Sequence, residues 1–135
     1  MREILFRGKH MSGGVWCEGN LAVRKDGVCI ITPDDTPCGV YGQVDPDTVG
    51  QFTGLTDKNG TKIFEGDIVR AVLPKSNAIP EFVWPDMVVG FSEGAFCAMR
   101  GRYCTPLYSF APAVELEVIG NVYDNPELME DEYHG

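Results

Sequence analysis

The apolar and polar positions alternate over short stretches, which predicts strands rather than long helices. Residues 114–119 place Glu115 and Glu117 on one face and Leu116 and Val118 on the other, the period of a half-buried strand. The 135 residues include 16 Gly and 9 Pro, so a helix-breaking residue recurs too often for long helices. Further strands are predicted over residues 3–7, 15–17, 21–24, 28–32, 49–55, 63–64, 67–73, 87–92, 95–100 and 122–123.

Turn residues separate these strands. Asn59-Gly60 is the strongest hairpin signal in the chain, because both residues tolerate positive φ. Gly19, within Glu18-Gly19-Asn20, predicts a second hairpin loop, and Gly94 predicts a third. At Glu65-Gly66-Asp67 we expect a tight turn, with Gly66 supplying backbone freedom and Asp67 accepting bonds from nearby amides. Loops are predicted at 33–37, 45–47 and 74–85, and a break in the last long strand at 120–121.

One short helix is predicted near the end of the chain. Asn125 is a favourable N-cap, Pro126 suits the first helical position, and Glu127 suits the positive end of the helix dipole. The helix would end by residue 132 after one or two turns. With the strands, this predicts a mainly β protein with a short C-terminal helix.

Composition narrows the possible classes. Hydrophobic residues make up 44% and charged residues 23%, as in folded proteins, and the net charge is −9. That charge opposes a fold-wide nucleic-acid surface. It is unevenly distributed: residues 1–25 hold five basic and two acidic residues, whereas residues 103–135 hold seven acids and no Lys or Arg. No apolar run reaches the length of a membrane span or a secretory signal, which predicts a cytoplasmic protein with no membrane contact.

Candidate chemistry for an enzyme or a metal site is sparse. The sequence lacks nucleophile-elbow and phosphate-loop motifs, and its paired carboxylates fall in expected turns or on an exposed face. Its five cysteines have no C-x-x-C spacing, and His10 and His134 lie at opposite ends. We therefore predict no enzyme activity, no metal and no cofactor, with the cysteines reduced and mostly buried.

Three segments together resemble the YopX family of phage and prophage proteins. They are residues 4–9 with 14–21 (ILFRGK and GVWCEGNL), 50–69 (GQFTGLTDKNGTKIFEGDIV) and 117–128 (EVIGNVYDNPEL). The resemblance implies a mostly β protein with a small SH3-type barrel, encoded by a phage or prophage, and it brings no established activity. Residues 74–112 carry no family motif. The expected organisation is an N-terminal β meander (1–48), the barrel (49–124), and a short helix with an acidic tail (125–135).

Two candidate contact sites lie outside these motifs. Phe82 and Trp84 lie between prolines with little polar cover, which predicts either a partner contact or a cap on the open end of the barrel. Arg100, Arg102 and Tyr103 form a compact basic and aromatic spot suited to a single-stranded nucleic acid.

The leading hypothesis is a phage or prophage accessory protein that acts by protein contact with an unidentified protein partner and as a homo-oligomer. The basic start and acidic end would favour head-to-tail association. Two alternatives stay open: a nucleic-acid-associated module that uses the barrel face, and an acidic mimic that blocks a host DNA-binding protein.

Overall fold

The computed structural model describes residues 1–32 and 39–130 and confirms a mainly β protein. The chain divides into two compact units, Met1–Gly54 and Leu55–Gly135. The boundary predicted from the sequence, after residue 48, lies six residues before this division. The loop predicted at 33–37 and the tail from residue 131 lie outside the described residues. Within those residues, no helix is long and apolar enough to cross a membrane.

The described residues form short strands and three 3-10 helices. The strands are β1 Phe6–Lys9, β2 Trp16–Arg24, β3 Gly27–Ile31, β4 Tyr41–Val44, β5 Gly50–Thr56, β6 Lys62–Phe64, β7 Asp67–Leu73, β8 Phe82–Val83, β9 Met87–Ser92, β10 Ala95–Arg100, β11 Tyr103–Pro106 and β12 Glu115–Asn121. The 3-10 helices are Pro46–Thr48, Leu107–Ser109 and Pro126–Met129.

In the first unit, β1 to β4 form an antiparallel meander, and β5 pairs with the other edge of β1. The buried centre of this unit contains Cys17, Ile30 and Val44, with Phe6 and Leu21 packed against them. Successive residues of β4 face opposite sides of the sheet. Gly42 and Val44 are therefore buried, while Tyr41 and Gln43 are exposed.

The hairpin predicted around Gly19 is wrong. β2 runs without interruption from Trp16 to Arg24, pairing with β1 in its first half and β3 in its second. A Cβ at Gly19 would lie 2.0 Å from the carbonyl oxygen of Ile31, so this position has no room for a side chain. Gly19 therefore marks a close approach of two backbones inside a strand rather than a turn.

In the second unit, an antiparallel sheet has the order β11-β10-β9-β7-β12, and β8 also pairs with β7. Its core contains Ile63, Val69, Ala71, Met87, Val89, Ala98 and Leu107. β8 and β9 follow the same edge of β7, one after the other, because Val83 is opposite Val72 and Met87 is opposite Val69. The expected loop at 74–85 thus contains a strand, and β11 is a strand that the sequence did not predict.

The C-terminal part differs from its prediction in three ways. The strand predicted at residues 122–123 is wrong, because these residues lie in the turn that follows β12. The strand break expected at Gly120 is instead a bulge between Val118 and Gly120, and β12 continues to Asn121. The expected helix is one 3-10 turn, Pro126–Met129, with no side-chain cap from Asn125. The Asn125 side chain accepts from the N–H of Asn121 at 3.2 Å, so it closes the preceding turn.

The cysteines are not uniformly reduced. Cys17 is disulfide-bonded, contrary to the sequence-based expectation. Cys29, Cys97 and Cys104 are free thiols, of which Cys29 and Cys97 are buried and Cys104 is exposed.

Candidate functional site

The turn after β5 is organised by one buried carboxylate. Asp57 Oδ1 accepts from the N–H groups of Asn59 and Thr61, and Oδ2 accepts from the N–H of Val118 in β12, each at 2.9 Å. The hairpin expected at Asn59-Gly60 is confirmed, since the N–H of Asp57 donates to Thr61 and that of Gly60 to Asp57. Only Gly60, at φ 82°, has the positive φ expected of both residues.

The environment of Asp57 favours its charged form. Burial alone raises the pKa of this carboxyl, but the N–H donors of Val118, Thr61 and Asn59 outweigh it and leave the pKa below its ordinary value. Lys58 flanks the turn, with its Nζ 3.6 Å from Glu117 and 4.0 Å from Glu115. The Asp57 carboxylate therefore links the hairpin to β12 through hydrogen bonds to the backbone of both.

Two other motif segments are also closed by their own hydrogen bonds. Gly66 has φ 90°, as its turn requires, and the N–H of Phe64 donates to Asp67 Oδ2 at 2.7 Å, as expected. Asn121 Oδ1 accepts from the N–H groups of Tyr123 and Asp124. The polar side chains of these motifs accept hydrogen bonds from nearby backbone N–H groups. The motifs therefore stabilise turns of the fold.

An apolar groove of about 400 Å³ lies elsewhere in the second unit. It is lined by Phe82, Trp84, Pro85, Met87, Arg100 and Tyr103. The strand order explains this meeting: β8 and β9 follow one edge of β7, and β10 and β11 continue the sheet beyond β9. The N–H of Trp84 donates to the carbonyl of Ala71 at 3.0 Å, which fixes the chain between β8 and β9.

The aromatic side chains of the groove are partly fixed and partly open. The ring of Trp84 makes edge contacts with Phe82 at 4.7 Å and Phe110 at 5.5 Å between centroids, and it packs against the core. Phe82 and Tyr103 remain 52% and 48% exposed. Trp84 thus fits the capping interpretation, whereas Phe82 has the exposure that a partner contact needs.

Positive charge reaches the groove through Arg100. Its Nη1 donates to the carbonyl of Asp86 at 2.9 Å and lies 3.9 Å from Met129 Sδ. The carboxylate of Asp86 faces a different arginine, since Arg70 Nε and Nη2 lie 3.3 and 3.4 Å from its two oxygens. Backbone and carboxylate of Asp86 therefore orient two arginines, and Arg100 is held at the groove wall.

The structure brings together four of the five residues singled out in the sequence. Arg102 is the exception, because it lies exposed in the turn between β10 and β11 and does not line the groove. Pro85 and Met87 were missed. The joining of the two sites was missed as well, because it follows from strand order and not from local sequence.

A basic and aromatic cluster in the first unit is occupied by its own chain. Arg7 Cζ lies 4.6 Å, and Lys9 Nζ 5.8 Å, from the centroid of the Trp16 ring. Both distances suit cation–π contact across the β1–β2 pair. In the described part of the chain, no three His, Cys, Asp or Glu side chains are grouped so that they could hold a metal ion.

The fold is similar to that of a solved protein, and the sequence matches a family. The crystal structure of protein EF1440 from Enterococcus faecalis superposes with a TM-score of 0.56 and 26% sequence identity, covering 96% of this chain and 100% of that one. No curated protein matches the sequence. The YopX protein family matches residues 9–130, which span nearly the whole chain and include all the elements described above except β1 up to Gly8. The chain belongs to the YopX family.

Proposed function

We propose that this protein is a non-enzymatic accessory protein of a phage or prophage, that it works in the cytoplasm, and that it acts by protein contact. The aromatic groove is the observation that carries the proposal. Phe82 and Tyr103 both line the groove and are about half exposed, and grouped exposed apolar side chains are typical of contact surfaces. The phage or prophage origin rests on the family resemblance, and the SH3-type barrel expected over residues 49–124 rests on that resemblance and on the antiparallel sheet.

The occupant we propose for the groove is a second copy of the chain. Charge complementarity supports this choice: Arg100 lines the groove and Arg102 follows it, whereas the acids of residues 103–135 have no basic residue among them. The basic residues of segment 1–25 add to the same asymmetry. Opposite charges on different parts of identical chains favour a homo-oligomer held by an apolar seam and oriented by charge.

Light scattering coupled to size exclusion tests this proposal. We expect the wild-type chain to be larger than a monomer in low salt, and Phe82→Ser to shift it to a monomer. Phe91→Ser is the matched control, since Phe91 is a 57% exposed phenylalanine that does not line the groove. In about 1 M salt, where the Debye length is about 3 Å, the charge contribution should weaken. A wild-type monomer at all micromolar concentrations would reject self-association.

A single-stranded nucleic acid is the second candidate. The groove combines aromatic faces with Arg100, which is the composition of a stacking platform beside a cation. Fluorescence anisotropy with labelled single-stranded and duplex oligonucleotides measures binding directly, and Tyr103→Ala should weaken it if bases stack there. Absence of binding at low salt removes this candidate. The acidic-mimic alternative requires uncompensated carboxylates gathered on one surface. Glu115 and Glu117 do not meet this requirement by themselves, because the positive charge of Lys58 lies beside both.

A further inference from the structure

Two free thiols meet on neighbouring strands of the second unit. Cys97 in β10 is opposite Pro106, and Cys104 in β11 is opposite Met99, so the two cysteines are diagonal neighbours on one face. The Cys104 thiol is close enough to Cys97 to help raise the pKa of the Cys97 thiol. Both line a cleft of about 310 Å³ together with Ser92, Glu93, Ala95, Pro106 and Tyr108.

The two thiols have different access to solvent. Cys97 is 2% exposed, and its Sγ donates to the carbonyl of Ala95 at 3.4 Å and to that of Ser92 at 3.7 Å. Cys104 is exposed. Burial, with the contact from Cys104, raises the pKa of the Cys97 thiol, which keeps it protonated at neutral pH. A reagent from solution therefore reaches Cys104 first.

We propose that Cys97 and Cys104 form a reversible dithiol–disulfide site, in which Cys104 is attacked first and Cys97 resolves the product. The oxidant is a low-molecular-weight disulfide of the glutathione class. Cys104 thiolate attacks one sulfur of that disulfide, and its other half leaves as a thiolate that takes up a proton. Cys97 then loses its proton and attacks Cys104 Sγ, releasing the second small thiol. Two protein thiols are oxidised, and one small disulfide is reduced to two thiols.

The position of β11 makes closure of this bond feasible. Diagonal partners lie farther apart than directly opposite ones, whereas a disulfide needs Cβ atoms about 3.5–4.5 Å apart. β11 must therefore shift towards Cys97. It has four residues, it is the outermost strand of its sheet in the described part of the chain, and Gly101 in the preceding turn has φ 58°. An outer strand can move without breaking a second ladder.

Peptide mapping of the full chain tests the site after treatment with oxidised glutathione, with the disulfide of Cys17 left intact so that only Cys29, Cys97 and Cys104 can react. Trypsin cleaves after Arg100 and Arg102, so the peptides that hold Cys97 and Cys104 stay together only through a new bond. We expect this linked pair, its loss on treatment with dithiothreitol, and an intact mass that first gains one glutathione and then loses it. The buried thiol Cys29 is the internal control and should stay reduced.

Two variants assign the order of reaction. Cys97→Ser should stop at the mixed disulfide on Cys104, and Cys104→Ser should leave Cys97 unmodified. The proposal is overturned if wild-type Cys104 keeps its glutathione, or if it is linked to Cys29 instead. The wild-type mass course decides the matter even where Cys97→Ser fails to fold. This site does not depend on the proposed self-association.

Discussion

The Asp57 turn and the aromatic groove belong to the same unit but use their side chains in opposite ways. In the turn, a polar side chain is buried, and its oxygens accept from three backbone N–H groups. In the groove, the apolar side chains of Phe82 and Tyr103 are left about half exposed. Both lie within the residues matched by the YopX family, but the turn lies in one of the segments whose motifs identified the family from the sequence, and the groove does not. The Asp57 turn therefore uses its polar side chain to maintain the fold, whereas the groove leaves apolar side chains available for the contact proposed above.

The largest expected effect comes from removing the carboxylate of the turn. Asp57→Ala leaves the N–H groups of Asn59, Thr61 and Val118 without their acceptor, and should lower the free energy of unfolding by about 3 kcal/mol. Chemical denaturation measures the change. Asp26→Ala is the matched control: Asp26 is exposed and 3.9 Å from Arg24, so its loss should cost at most about 0.5 kcal/mol. Equal effects of the two variants would contradict the structural role of Asp57.

A second, smaller effect separates backbone strain from crowding. Gly66 has φ 90°, and a Cβ there would lie 2.8 Å from Cε2 of Tyr123, whereas Gly94 has φ 81° and open space around it. Gly94→Ala should cost about 1 kcal/mol from φ alone. Gly66→Ala should cost about 2 kcal/mol because the Tyr123 ring must also move. Thermal denaturation of both variants checks this order, and a Gly66 variant as stable as the Gly94 variant would exclude the Tyr123 contact.

The charge state of Asp57 predicts that the free energy of unfolding depends on pH. Because folding lowers the pKa of this carboxyl, the stability it contributes is fully present above the unfolded pKa of about 3.9. That contribution is lost as the pH falls through the lower pKa of the folded state. The difference in unfolding free energy between wild type and Asp57→Asn should therefore be constant above about pH 5 and shrink in acid. A difference that grows in acid would have the wrong sign.

The smallest effect on stability is expected in the groove. Phe82 and Phe91 each make one edge contact with another ring, at 4.7 Å to Trp84 and 5.2 Å to Phe96. Each alanine variant should therefore lose about 1 kcal/mol. Only the Phe82 variant should also lose self-association, as measured by sedimentation velocity. If both variants associate equally, the groove is not the contact surface.

Local signals in the sequence predicted the turns well, and tertiary contacts account for the errors. The hairpin at Asn59-Gly60 and the tight turn at Gly66 were predicted because their backbone geometry depends on the residues themselves. Gly19 was misread because its role depends on the Ile31 carbonyl, which another strand brings close. Gly120 in β12 likewise has no room for a side chain, since a Cβ there would lie 2.6 Å from Oδ1 of Asn125.

The candidate site could be predicted only in pieces. Phe82 and Trp84 stood out because prolines flank two aromatic residues, and Arg100 and Tyr103 because basic and aromatic residues adjoin. Their union in one groove depends on the order of β7, β9, β10 and β11 across the sheet. Strand order is set by pairing between distant parts of the chain. The alternation of apolar and polar residues within one strand does not show which strand lies beside it.

The hydrogen bond from the N–H of Val118 to Asp57 also has a consequence for folding during synthesis. The two residues are 61 positions apart, so the carboxylate is synthesised long before its third donor. At about 5–20 residues per second, the ribosome takes about 3–12 s to add that stretch. During this interval the Asp57 carboxylate can accept only from the N–H groups of Asn59 and Thr61. The hydrogen bonds of the Asp57 carboxylate in the second unit are therefore complete only when translation has passed Val118.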